Sequence, residues 1–222
     1  MKLGPNLAVW ALAFFFPTMG VVVTASGAEA RPLRPGAYGG LLLGYDPSTQ
    51  VVSGYFQTGT GLSDWDNPDS GPQFTCIFYL KGKYQGDQAT IETFDPATPR
   101  DDLISGTLTV GKDGSVKISL PEDHGGCGMA WSFTKDSALT TFSLDTARPW
   151  TQIRVVRSKR AYFYDAPDSP VHRKAHLVHD DGVGVVGSAR GWLRVEFPSS
   201  DGKTVQPQRI EWMREADFYP GS

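Results

Sequence analysis

Residues 104–121, "ISGTLTVGKDGSVKISLP", place two short runs rich in β-branched residues on either side of Gly111-Lys112-Asp113-Gly114. A turn of this composition between two such runs is a strong short-range signal for a β-hairpin. Outward from it the same pattern repeats in both directions. Upstream stand "GAYGGLLLGYD" (36–46), "VVSGYFQTG" (51–59), "FTCIFYLKGKY" (74–84) and "QATIETF" (88–94), and downstream "MAWSF" (129–133) and "TTFSLD" (140–145). Turn clusters separate the runs at a spacing of about ten residues, the pattern of antiparallel barrels and sandwiches. No amphipathic helical stretch interrupts it. The expected class is all-β, with an antiparallel barrel or sandwich over residues 31–148 and a second unit over 150–222.

Composition agrees. Of 222 residues, 20% are charged and 40% hydrophobic, which places the chain among globular proteins. The 25 glycines and 16 prolines make frequent turns and leave little room for long helices. A net charge of −3 argues against nucleic acid as the main partner.

The N-terminus reads as a signal peptide over residues 1–30. Lys2 gives a minimal positive start, Leu7 to Val23 is almost uninterruptedly apolar, and the small residues of "TASGAEA" follow. Cleavage after Gly27 or after Ala30 fits the small-x-small rule. An uncleaved membrane anchor is the competing reading, weakened by Pro17 and Gly20 within the apolar run. No cysteine follows that run, so a lipid anchor is not expected. Export across a bacterial inner membrane, to a periplasmic or secreted location, leaves no membrane span in the mature chain.

Cys76 and Cys127 are the only cysteines. In an oxidising compartment an even count points to a disulfide. The bridge would close a loop of about fifty residues and remove roughly 4 kcal/mol of unfolded-state freedom. The alternative is a nucleophilic Cys127 with His124 three residues away, in "EDHGGCG" (122–128); the second cysteine and the exported location favour the bridge.

"TARPWTQIRVV" (146–156) opens the second unit through Arg148-Pro149-Trp150. Charge shifts there: residues 31–149 carry 9 basic and 14 acidic side chains, residues 150–222 carry 11 and 9. The runs "AYFYDAPDSP" (161–170), "AHLVHDDGVGVV" (175–186), "RGWLRVEF" (190–197) and "EWMREADFY" (211–219) follow. Over 153–219 this order resembles the bacterial SH3 (SH3b) family: an opening strand and proline turn, an apolar strand with an acidic turn, a Gly-Trp strand and a closing Trp segment. Trp192 and Trp212 fall where the family has its tryptophans, whereas Glu211 stands in place of the usual closing glycine. The resemblance implies a small barrel, expected to fold alone, and recognition of cell-wall peptide or protein. The first half more loosely resembles calycin-type barrels, including lysozyme-inhibitor-like ones.

On a strand, Tyr162 and Tyr164 would share one face and Phe163 the other. Phe163 is expected inside, with Val155, Leu177, Val185 and Leu193. The tyrosines, near Trp192 or Trp212, have two open readings: a ligand groove, or packing against the first unit. Arg154, Arg157, Lys159 and Arg160 form the densest basic cluster. Arg157 and Arg160 join the candidate ligand-binding set of Tyr162, Tyr164, Trp192 and Trp212, although a solvated face is the simpler reading.

Other clusters carry less. "SDWDNPDSG" (63–71) has three aspartates, but Pro68 and Asp69 stand where an EF-hand-like loop needs an oxygen ligand and a glycine. His172, His176 and His179 cannot all share one strand face, so no zinc site is expected. No motif for a catalytic serine, a zinc protease or a phosphate loop occurs. The expectation is a non-enzymatic, cofactor-free binding protein. Its partner would be an envelope protein or a cell-wall peptide or glycan, with inhibition of a wall-degrading enzyme as one form of the role. A structural or scaffolding component of an envelope assembly is the alternative.

Overall fold

The computed structural model describes residues 32–60, 74–99, 101–198 and 210–220. The chain is all-β. Its first nine strands are β1 (Gly36–Tyr38), β2 (Leu41–Asp46), β3 (Val51–Thr60), β4 (Phe74–Gln85), β5 (Gln88–Phe94), β6 (Ile104–Val110), β7 (Val116–Ser119), β8 (Thr141–Phe142) and β9 (Thr146–Ala147). They form one antiparallel sheet in the order β8-β7-β6-β5-β4-β3-β2-β1-β9. The opening hairpin is β6–β7, in register from Thr107↔Ser119 to Val110↔Val116.

Curvature follows from connectivity. The two outermost strands, β8 and β9, are separated by residues 143–145 alone. Four extended Cα steps span at most about 14 Å, so the nine-stranded sheet must curl until its edges nearly meet. The result is a half-barrel. Its interior holds Leu41, Leu43, Phe56, Phe78, Leu80 and Ile91, and Phe133 seals it edge-on against Phe56 and Phe78 with ring centroids 4.9 Å away. Cys76 on β4 and Cys127 at the start of the short helix α1 (Cys127–Ala130) are disulfide-bonded. The bridge, closing 51 residues, pins α1 to the barrel.

A second sheet takes the order β10 (Gln152–Val155), β13 (Gly182–Ala189), β14 (Trp192–Glu196), β15 (Ile210–Arg214), with β11 (Ala161–Tyr162) and β12 (His176–Leu177) as a separate pair. One face buries Val183, Val185, Leu193, Val195 and Met213, closed over by Ala161, Leu177 and Phe218. Phe163 packs on this cluster half-buried, whereas Val155 belongs elsewhere.

Val155 lies in a third core, where the two sheets meet. Tyr55, Tyr79, Phe94, Trp150, Ile153 and Val155 are buried together. Strands β3 and β4 are therefore covered on both sides: Val52, Phe56, Phe78 and Leu80 face the barrel interior, Tyr55 and Tyr79 the seam. Hydrogen bonds cross it: Tyr45 N donates to Trp150 O (2.9 Å), Ile153 N to Ser53 Oγ (2.9 Å), Tyr79 Oη to Ile153 O (3.1 Å) and Tyr55 Oη to Asp180 O (2.8 Å). Two glycines permit the approach. A Cβ on Gly44 would stand 2.6 Å from the Gln152 backbone, and one on Gly184 would stand 2.2 Å from the Trp150 indole.

Candidate functional site

The second sheet has one face in its own core. The other face is used in two halves. At the β10–β13 end, Gly184 lies opposite Ile153 on one side and Glu196 on the other. There Trp150 sits on Gly184 and donates from Nε1 to Glu196 Oε2 at 2.7 Å, part of the seam. At the β14–β15 end, among the described residues, Trp192 is buried, Trp212 is half-buried, and Arg194 and Arg214 are exposed. Trp192 pairs with Arg214 and Arg194 with Trp212, so the register projects all four side chains to the same side.

Tyr164 joins them. Its N–H donates to Trp212 O (2.8 Å) and its carbonyl accepts from Trp212 N (3.0 Å), which closes the outer edge of β15 at that point. The Tyr164 ring meets Trp192 edge-on at 4.9 Å. The Arg214 guanidinium lies over both rings, 5.2 Å from the Tyr164 centroid and 5.8 Å from that of Trp192. Cation–π attraction holds the charge in place without a carboxylate. Among the described residues, neither Arg214 nor the exposed Arg194 pairs with an acid. Trp192 Nε1 is fixed by Asp168 Oδ1 (3.2 Å), and Asp168 takes a positive φ of 61° in the turn after Pro167.

This arrangement departs from regular alternation through residues 161–164. Tyr162 pairs with His176 on β12, whereas Tyr164 pairs with Trp212 on β15. The chain changes partner between them, so the two tyrosines do not form an exposed pair. Tyr164 is 4% exposed and serves as a floor, while Tyr162 is half-buried and stacks on His172, 4.0 Å between centroids, with His176 at 5.3 Å. Nor do these rings form the seam, which is built from Tyr55, Tyr79 and Trp150.

The basic cluster around residues 154–160 divides: Arg154 turns inward, whereas Arg157, Lys159 and Arg160 are exposed. Arg154 is buried, donates to Tyr219 O (3.2 Å), and has its pKa lowered by that burial. Arg157 donates from Nε to Ala216 O (2.9 Å), and Arg160 is exposed on the same turn. The cations on the aromatic face are Arg194 and Arg214, which the sequence reading passed over. The alternations W-x-R over 192–194 and W-x-R over 212–214 carried the signal, since period two puts each indole and guanidinium on one face.

Beside the face a groove of about 320 Å³ is lined by Tyr164, Asp165, Arg173, Ile210 and Glu211. Arg173 is ion-paired with both carboxylates, to Glu211 at 3.1 Å. His179 points elsewhere, bonded to Tyr219 Oη (2.6 Å) and beside Asp180 (3.0 Å). Among the described residues no three His, Cys, Asp or Glu side chains converge as a metal site. The aspartates of 63–71 lie outside the described residues.

One constellation has the outline of a catalytic relay. Asp102 Oδ2 stands 2.6 Å from His124 Nδ1, and His124 Nε2 stands 2.7 Å from Thr93 Oγ1. Thr93 is fully buried, however, and its hydroxyl donates to Ile104 O (2.9 Å). A nucleophile needs a path to substrate and a free lone pair. Thr93 has no such path, and buried His124 is stacked against Phe78 at 5.2 Å. The cluster ties the 95–103 and 121–126 loops to β5. Cys127 is oxidised and Asp123 caps Phe133 N (2.6 Å), so "EDHGGCG" is a structural knot.

No family model matches the chain, and no curated protein or solved structure is significantly similar to it.

Proposed function

We propose that this is an exported, non-catalytic binding protein of the bacterial envelope. Its second sheet, with the β11–β12 pair, acts as an SH3-like module recognising a cell-wall component or an envelope protein. The observation that carries the reading is the Arg214 guanidinium held over Tyr164 and Trp192, on the same side of the sheet as exposed Arg194 and half-buried Trp212. Aromatic rings and arginine are the side chains that dominate binding energy where they are pre-ordered. The disulfide supports residence in an oxidising compartment. No helix among the described residues is long and apolar enough to cross a membrane.

The test is capture from envelope extract with the exported protein and its Trp212→Ala/Arg214→Ala variant. The native protein is expected to retain a partner that the variant releases, at a temperature where thermal melts show both to be folded. A single hydrolase on the column would specify an inhibitor, wall fragments a wall-binding module, and a multiprotein complex a scaffold. Equal capture by native and variant protein would reject the face as the site.

A further inference from the structure

We propose that the open face takes an acidic glycan, a polysaccharide whose sugar rings carry carboxylates; this rests on the binding role assigned to that face above. The shape of the site selects against a peptide that adds as a strand. Peptides that bind β-sheets usually add as a strand along a free edge. Here Tyr164 occupies the outer edge of β15, exchanging both backbone hydrogen bonds with Trp212. What remains is a face, and a face suits a ring.

Trp212 is half-buried, with Arg194 directly across from it on β14 and Arg214 two residues along its own strand. Directly opposed side chains stand about 5 Å apart at Cβ, so Arg194 neighbours the Trp212 indole. The Arg214 guanidinium, projecting to the same side of the sheet, lies over Tyr164 and Trp192. The electron-rich face of an indole attracts the weakly positive C–H edge of a pyranose. A guanidinium fork accepts a carboxylate in two parallel hydrogen bonds. One sugar ring stacked on Trp212 would bring a ring carboxylate toward Arg194, with Arg214 on the same side of the sheet for a second carboxylate of the chain. Arg214 is already ordered over Tyr164 and Trp192, so little side-chain freedom is lost on binding. Neutral glycans would use the indole alone, and acidic peptides the charges alone. An acidic glycan uses both.

The experiment is a titration of the exported protein, followed by tryptophan fluorescence and calorimetry. The ligands are oligogalacturonate as carboxylated probe, chitooligosaccharide as neutral probe and oligoglutamate as peptide probe. Oligogalacturonate is expected to bind at least about tenfold more tightly than either control. Its affinity should fall as salt rises from about 50 to 200 mM, through screening of the two arginines. Trp212→Ala and Arg194→Ala/Arg214→Ala should each weaken it about tenfold or more, measured at a temperature well below the melting transition of each variant. Oligoglutamate binding as tightly as oligogalacturonate would overturn the proposal, by showing a charge patch only. Absence of oligogalacturonate binding, with envelope capture still dependent on Trp212 and Arg214, would overturn the glycan assignment and leave the binding role standing. Loss of that dependence as well would overturn both.

Discussion

Tyr162 and Tyr164 are two positions apart, yet they do different work. Tyr164 is buried among Trp192, Arg214 and the backbone of Trp212, so replacing it by alanine removes a floor and leaves a cavity. Truncation of a buried aromatic costs about 3–5 kcal/mol. Tyr162 makes two ring contacts, with His172 and His176, each worth about 0.5–1.5 kcal/mol at most. Urea melts of the single variants should therefore separate them, Tyr164→Ala losing more stability than Tyr162→Ala. Equal losses would mean that the change of strand partner between them has no energetic weight. Gly184 gives a second residue-scale expectation. An added methyl would stand 2.2 Å from Trp150, whose Nε1 is held by the buried Glu196, so the indole cannot move aside without breaking that bond. Gly184→Ala is expected to destabilise by about 1–3 kcal/mol through overpacking, and unchanged denaturation midpoints would refute the account.

At the scale of elements, the disulfide gives the sharpest expectation. Cys76 and Cys127 are joined across 51 residues, and opening that loop restores roughly 4 kcal/mol of unfolded-state freedom on the chain-entropy account. Mass spectrometry of unreduced, alkylated protein should find neither thiol modified, and reduction should lower the denaturation midpoint. Two alkylated thiols without prior reduction would contradict the bridge. The strands between these cysteines were legible in the sequence because turn chemistry marks their ends. "GKDG" is one such mark: Asp113 caps its own turn through Ser115 N (3.0 Å) and Ser115 Oγ (2.6 Å). The face used by each strand was less legible. Strands β3 and β4 lack alternation because both their sides are buried, and an unbroken apolar run such as "CIFYL" has that meaning. The pairing of Arg194 with Trp212 required the register of β14 against β15, which depends on a connection of thirteen residues rather than on a tight turn. Local pattern gives the outward side of each strand but not its neighbour.

For the whole molecule, the seam decides how the halves depend on each other. Charge shift and the Arg148-Pro149-Trp150 segment suggested a second unit able to fold alone. Yet Ile153 has its N–H bonded to Ser53 and its carbonyl to Tyr79, both on the first sheet. A fragment of residues 151–222 would expose Ile153 and Val155 and lose those bonds. It is expected to lack the cooperative unfolding, read by Trp192 and Trp212 fluorescence, that is expected of the full chain; a sharp transition in the fragment would restore autonomy. Alkali should open the same seam in the intact protein. Burial raises the Tyr79 hydroxyl well above its usual range, and burial followed by the carboxylates of Asp180, Asp181 and Asp95 does the same for Tyr55. Tyr38, in the barrel, is pushed up to about 12 by burial. A tyrosine whose pKa is raised on folding leaves stability untouched below about pH 10, where both states are neutral. Above it the unfolded chain ionises first, and stability falls until the folded state ionises too. Each such tyrosine adds a slope of about 1.4 kcal/mol per pH unit in that window. Tyr79→Phe should start less stable by about 1–3 kcal/mol, since Ile153 O loses its donor. It should then decline less steeply than the native protein between pH 10 and about 12. Denaturant melts across that range, with tyrosinate absorbance recorded alongside, measure both slopes. Parallel slopes would mean that Tyr79 is not held protonated in the seam.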